Sequence, residues 1–167
     1  PTFTYSWNFG DGTPLSGQAN PTHLYATSGT KLVTLTIIDI GGCTHSISKN
    51  VMVYPLPIPE FSYSSQNCVG EVVYYTDLSS TVPGFQDNLQ TWEWDFGDGI
   101  TQTINFPANP DISHTFIGTA LTHTVRLTVT TSHGCTDYIE HIVNSIPSPL
   151  AGFSFPAMPC ELNLVPF

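Results

Sequence analysis

The chain reads as an all-β protein built of two-sheet sandwiches in tandem, and three observations lead there. Runs rich in Val, Ile, Thr, Tyr and Phe alternate apolar with polar residues, and no helical period competes with them. Fourteen prolines and thirteen glycines punctuate those runs, supplying turns and breaking any long helix. The chain also matches itself. A shift of 92 residues carries Cys135 onto Cys43, Val125, Leu127 and Val129 onto Val33, Leu35 and Ile37, Phe153 onto Phe61, and Cys160 onto Cys68.

The densest block, Trp92-Glu93-Trp94-Asp95-Phe96-Gly97-Asp98-Gly99, echoes Tyr5-Ser6-Trp7-Asn8-Phe9-Gly10-Asp11-Gly12 at a shift of 87. The later copy has therefore gained five residues, four between Gly99 and His114 and one between Phe116 and His123. Both sites are turn-like, where added length is tolerated. A period near 90 residues suits one small domain per repeat. The expected organisation is a domain over residues 1–54 lacking its first strands, a complete domain over 58–146, and the first strand of a third over 150–167. On this reading the chain begins and ends inside repeats, as a window on a longer protein.

In the complete repeat, Glu60–Gln66 is the first expected strand, with Phe61 and Tyr63 inward, and Val72–Leu78 the second. A loop over Ser79–Asn88 follows. Thr91–Phe96 alternates, so Trp92, Trp94 and Phe96 share one face and Glu93 and Asp95 the other. Gly-Asp-Gly then turns the chain, since glycine accepts positive φ and Asp bonds its local backbone. Ile100–Ile104 is a short strand, and Pro107–Pro110 interrupts because proline cannot sit in a central ladder. After Ile112–Phe116 comes the clearest alternation, Thr122–Thr130, with Val125, Leu127 and Val129 inward. Ser132-His133-Gly134 turns into a last strand over Cys135–Val143. Seven or so short strands of this kind suit a sandwich. Alternate prolines at Pro55, Pro57 and Pro59, and at Pro147 and Pro149, stiffen the linkers and give an elongated row of domains.

The formal charge is −10, with only three strong bases. So acidic a surface repels phosphate and argues against nucleic acid as partner. No apolar run approaches the roughly 18 residues a bilayer span needs. The four cysteines fall into two repeat-equivalent classes, early (Cys68, Cys160) and late (Cys43, Cys135). The preferred pairing is Cys68 with Cys135 inside the whole domain, leaving Cys43 and Cys160 to partners outside the chain. Closing so long a loop contributes about 4 kcal/mol in the chain-entropy model. The alternative, Cys43 with Cys68, staples neighbouring domains. Either bridge implies an oxidising, extracytoplasmic compartment. Spacings of 24 residues or more, with no C-x-x-C, argue against zinc.

Trp94-Asp95-Phe96-Gly97-Asp98-Gly99, then His114-Thr115-Phe116, then Val125-Arg126-Leu127-Thr128-Val129 resembles the PKD (polycystic kidney disease) domain. The front copy fits with Trp7-Asn8-Phe9-Gly10-Asp11-Gly12, His23-Leu24-Tyr25 and Val33-Thr34-Leu35-Thr36-Ile37, departing at Asn8 where the family has Asp. The resemblance implies an immunoglobulin-like sandwich used outside the cell as a spacer or adhesion module. The paired cysteines and Pro-x-Pro junctions are similar to long arrays on secreted surface proteins of Bacteroidetes-type bacteria, including gliding adhesins exported by the type IX pathway. Neighbouring repeats are then the first expected partners, with surface glycans or proteins beyond them. An accessory carbohydrate- or protein-binding module of a secreted hydrolase is the alternative.

Of the candidate residues, Trp7, Phe9, Trp94 and Phe96 are expected in the core, where each ring buries on the order of 150–250 Å². Trp92, replaced by Tyr5 in the other copy, is expected either to join them in the core or to sit at a sheet edge. Asp11 and Asp98 are expected to cap their turns. Asp95 and Asp98 are the candidate calcium ligands, with Glu60, Asp77 and Asp137 as possible additions. His23 and His114 recur two residues before an aromatic, which points to a loop-holding hydrogen bond. His45, His123, His133 and His141 have no repeated equivalents. No Ser/His/Asp set, H-E-x-x-H or phosphate loop is visible, so neither a catalytic residue nor a cofactor is expected.

Overall fold

A computed structural model describes residues 3–64 and 67–154, and all its regular elements are strands. The first repeat contributes β1 (Phe3–Asn8), β2 (Gly29–Asp39) and β3 (Thr44–Val53), an antiparallel sheet in the order β1-β2-β3. The second contains β4 (Phe61–Tyr63), β5 (Asn67–Cys68), β6 (Val72–Asp77), β7 (Leu89–Asp95), β8 (Thr101–Asn105), β9 (Ile112–Thr115), β10 (Thr122–Thr131) and β11 (Thr136–Ile146). These form two sheets, β4-β6-β9 and β5-β11-β10-β7-β8.

The expected first strand, Glu60–Gln66, is seen only as Phe61–Tyr63, and a further two-residue strand that the sequence did not announce, Asn67–Cys68, joins the other sheet. Phe61–Tyr63 pairs antiparallel with β6, whereas Asn67 and Cys68 pair parallel with Ser145 and Ile146 of β11. One short run thereby stitches both layers together at an edge. The last strand starts one residue later than the alternation suggests and runs on to Ile146. Cys135 instead closes the hairpin turn, its carbonyl accepting from Thr131 N at 2.9 Å.

Between the layers lies a core of rings and β-branched side chains. Trp94, Val125, Leu127, Val129 and Val143 are fully enclosed, with Phe61, Val73, Tyr75, Phe96 and Phe116 around them. Trp94 meets Phe61 edge-on at 5.1 Å and Tyr75 at 5.5 Å. Alternation along β10 carries this result: Val125, Leu127 and Val129 point in, while Arg126 points out, bonds Glu140 and lies 4.5 Å over the Tyr138 ring. Trp92 is buried as well, so of its two expected places it takes the core and not an edge. β7 runs between β10 and β8, so its inward face is covered, and the indole Nε1 donates to Asp77 Oδ2 at 2.8 Å.

In the first repeat no described strand covers the inner face of β1-β2-β3. Trp7 is half-buried there, beside a depression of about 330 Å³ lined with Val33, Leu35, Ile47 and Val51. Residues 150–154, in the region read as a third repeat's first strand, have no regular structure, and the rest of that region lies outside the described residues.

Gly97 fixes how closely the turn after β7 approaches β10. It sits at φ +72°, and a Cβ there would lie 2.4 Å from the carbonyl oxygen of Thr124. Gly10 repeats this, with Leu32 O at 2.5 Å. Gly99 also has positive φ but open space around it. Gly97→Ala is therefore expected to cost roughly 3 kcal/mol, from left-handed strain plus a backbone clash. Gly99→Ala should cost about 1 kcal/mol, from strain alone. Urea denaturation of both variants checks the ratio; equal losses would remove the close approach as its cause.

Candidate functional site: the histidine clasp and the repeat junction

Each copy of the Trp-x-Phe-Gly-Asp-Gly block closes into the same polar clasp. Asp98 Oδ1 accepts from Ile100 N at 3.1 Å, while Oδ2 accepts from His114 Nε2 at 2.7 Å. Asp11 does likewise, Oδ1 taking Thr13 N and Oγ1 at 3.2 and 2.6 Å and Oδ2 taking His23 Nε2 at 2.6 Å. The histidine ring stacks on the phenyl of the block, Phe96–His114 at 4.0 Å and Phe9–His23 at 3.9 Å. An aromatic two residues on meets it edge-on, Phe116 in one copy and Tyr25 in the other. In both copies the indole donates to a loop carbonyl, Trp94 Nε1 to Pro110 O and Trp7 Nε1 to Gln18 O.

The clasp governs its carboxylates. Burial alone would raise Asp98, but the hydrogen bonds from His114 and the Ile100 amide outweigh it and hold the group below its ordinary value. At Asp11 the Thr13 hydroxyl, then His23, hold the carboxyl well below the carboxylate range. With the acids ionised, each ring nitrogen must carry the shared proton. Asp95 and Asn8 are used locally, accepting from Gly97 N and Gly10 N at 2.9 Å. Both Asp98 oxygens are thus committed within the turn, and Asp95 points its bonded oxygen at a backbone amide.

A second polar cluster, missed in the sequence, lies where the repeats meet. Asp87 is buried in the loop before β7, and its Oδ1 accepts from Ser132 Oγ at 2.7 Å and His133 Nδ1 at 2.9 Å. Burial pushes Asp87 up, yet the bonds from Ser132 and His133 prevail and keep it far below the usual range. Onto the outer face of His133 lies Tyr54, the end of the first repeat, with centroids 3.6 Å apart and planes 14° from parallel. Cys135 Sγ lies 3.9 Å from Tyr54 O. A Ser, a His and an Asp do come together here, contrary to expectation, but not as a nucleophilic relay. Ser132 Oγ and His133 Nδ1 both bond the same oxygen, Asp87 Oδ1, so the histidine does not stand between hydroxyl and carboxylate as a relay requires.

Two other histidines also serve packing. His141 donates to Glu60 Oε1 at 2.9 Å and sits edge-on to Phe61. His123 is buried against Phe116 and reaches Ala120 O at 3.3 Å. No set of three or more metal-ligating side chains gathers among the described residues.

The PKD domain model matches residues 1–54 and again 55–145. The chain belongs to the PKD domain family. It is 43% identical over 63 residues to collagenase ColA of Bacillus cereus, a stretch covering 38% of this chain and 6% of the collagenase. Among solved structures it is similar to the PKD1 domain of the Vibrio cholerae metalloprotease PrtV, at 23% identity and TM-score 0.44, over 55% of this chain and 98% of that one. The PKD1 domain of Vibrio anguillarum Epp gives 21% identity and TM-score 0.46, over 57% and 99%.

The PKD geometry overturns the expected bridge between Cys68 and Cys135. Cys68 lies opposite Ile146, at the end of β11, and Cys135 immediately precedes Thr136, at its beginning. At about 3.3 Å per residue, β11 holds them on the order of 30 Å apart, far beyond the ~7 Å limit between disulfide Cα atoms. Both are free thiols, as is Cys43. The Cys43–Cys68 alternative fails too, because the lengths of β3 and β11 both intervene. Cys160 lies outside the described residues.

Carboxyls depressed on folding stabilise fully above their ordinary value of 3.8, and lose that contribution as pH falls through their folded values. Denaturant midpoints should accordingly hold down to about pH 4 and drop below it. Asp98→Asn should cost about 2 kcal/mol at neutral pH and flatten the acid limb. An unchanged acid limb would detach Asp98 from it.

Proposed function

We propose that this chain is a load-bearing segment of an extracellular bacterial surface protein, a semi-rigid spacer whose partners are its own neighbouring repeats. The observation that carries the reading is the junction. Tyr54 is pinned on His133 while Ile58 and Ser80 exchange backbone hydrogen bonds at 2.8 and 3.0 Å. With both ends of the Pro55–Pro59 linker tied down, the sheet of the first repeat is held against the hairpin end of the second repeat's sandwich. The filled core supports a mechanical role, since its rings are spent on packing.

The strand order supports load-bearing as well. A repeat is entered at its hairpin end and left at the far end of β11, so tension runs along the strands. β5 lies parallel to β11, and Val69 N donates to Ile146 O at 3.0 Å. Pulling the ends therefore loads these bonds together in shear, not one by one. A second reading, an accessory module docking carbohydrate or protein for a secreted hydrolase, draws on the 43% identity to a stretch of collagenase ColA.

Single-molecule pulling on the chain tests the spacer. The second repeat should open at a distinct high force, and Val69→Pro, which deletes the donor to Ile146, should lower that force while the fold persists. An unaltered force would remove β5 from the load path. Co-sedimentation with insoluble collagen and polysaccharides tests the accessory module, and retention there would favour it over the spacer. For the joint itself, Tyr54→Ala should broaden the inter-repeat distance distribution measured by spin-label pairs without changing the melting temperature. An unbroadened distribution would show that the stack is not what holds the joint.

A further inference from the structure

The two cysteine classes occupy opposite ends of a repeat, and those two ends face each other across every junction. Cys135 stands at the hairpin end, its Sγ 3.9 Å from the carbonyl oxygen of Tyr54 in the repeat before it. Cys68 stands at the other end, in register with Ile146, and the next amide, Val69 N, donates to Ile146 O. The shift of 92 residues that relates the repeats carries Tyr54 onto Ile146. An early cysteine and a late cysteine thus gather around the same backbone position. The first reaches it from within its own repeat, the second from the repeat that follows.

A strand neighbour lies about 4.8 Å away, and a disulfide needs Cα atoms roughly 4.4–6.8 Å apart. Two residues that adjoin the same backbone position stand within one or two such spacings of each other, whereas the length of β11 forbids a bridge inside a repeat. We propose that the early cysteine of each repeat, the Cys68 position, forms a disulfide with the late cysteine of the next, the Cys135 position, so that the bridges lie across the junctions. Recurrence of one cysteine of each class per repeat follows directly, since each module presents one thiol at either end. Each bridge adds a covalent tie beside the linker, and tension passes from module to module without relying on the stack alone.

The chemistry is two thiol–disulfide exchanges with a small disulfide such as oxidised glutathione. One cysteine thiolate attacks it, forming a mixed disulfide and releasing one glutathione thiolate. The second cysteine then attacks the protein sulfur of that mixed disulfide and expels the other. Two protein thiols are oxidised to one S–S bond, the glutathione disulfide is reduced to two thiols, and the two protons end on those thiols.

Within residues 1–167 no late cysteine stands one repeat after an early one, so the test joins residues 1–146 to a second copy of 55–146. The buried core cluster of the repeat lies wholly within residues 61–143, so the added copy brings its own core. With Cys43→Ser throughout, Cys135→Ser in the first copy and Cys68→Ser in the second leave only the proposed pair, Cys68 of the first and Cys135 of the second. The reciprocal chain keeps Cys135 of the first copy and Cys68 of the second, at the remote ends. Both are folded in reductant, checked by circular dichroism, then equilibrated in a glutathione redox buffer and mapped by peptide mass spectrometry. The proposed pair should show at least tenfold more intramolecular bridge than the reciprocal pair. Equal bridging, bridges only between molecules, or two free thiols in the folded chain would each overturn the proposal. Alanine in place of serine at the same sites repeats the comparison should a serine chain fail to fold.

Discussion

Filling a thin space between two sheets with large rings is the constraint on which the rest of this structure depends. A repeat of some 90 residues has little core to bury, and Trp94 supplies much of it, with Phe61, Tyr75 and Phe96 around its indole. Those rings set the distance between the layers. They also constrain the turn that follows, which leaves β7 and packs directly against the backbone of Thr124 in the neighbouring strand β10. Gly97 allows that approach, and the carboxylate after it ties the turn to a histidine that lids Phe96. Core, turn and clasp form one unit, which is why the six-residue block recurs as a whole and not as separate residues.

That unit was legible in the sequence because its parts are local or periodic. Two-residue alternation assigned Val125, Leu127 and Val129 to the interior, and Gly-Asp-Gly marked a turn. The sequence also singled out His23 and His114 as structural, by their recurrence. It did not reveal their partners, since Asp11 and Asp98 lie 12 and 16 residues away and only folding brings them close. For Trp92 the sequence does not choose between core and edge, because the other copy has Tyr5 and no local pattern shows that β7 lies inside its sheet. The short strand Asn67–Cys68 was hidden for a different reason. Asn67 and Cys68 are held by a parallel pairing with the far end of the chain's last complete strand, and no local pattern encodes so distant a neighbour.

The cysteines show how a correct repeat can still suggest a wrong pairing. One early and one late cysteine per module invites a bridge between them, and spacing alone cannot object. Direction does. The late cysteine stands just before β11 and the early one pairs with its last residue, so a strand's full length separates them. What the repeat supplies in exchange is position: any residue at the end of one module has a known counterpart at the end of the next. The same correspondence that misled about the pairing therefore identifies which ends meet.

Correspondence also has limits, and the junction displays them. His133 aligns with Gly41, and Tyr54 aligns with Ile146, so the stack of Tyr54 on His133 cannot be reproduced unchanged at the next boundary. The Asp87–Ser132–His133 cluster follows the same logic, since the hairpin of the first repeat has Ile40, Gly41 and Gly42 where the second has Ser132, His133 and Gly134. Interior residues are held constant by the space they fill, whereas the end of a module answers only to the neighbour it meets. On the spacer reading proposed above, stiffness between modules is set at each boundary by a few side chains on one hairpin, while the Trp-x-Phe-Gly-Asp-Gly unit and its histidine stay the same in both repeats.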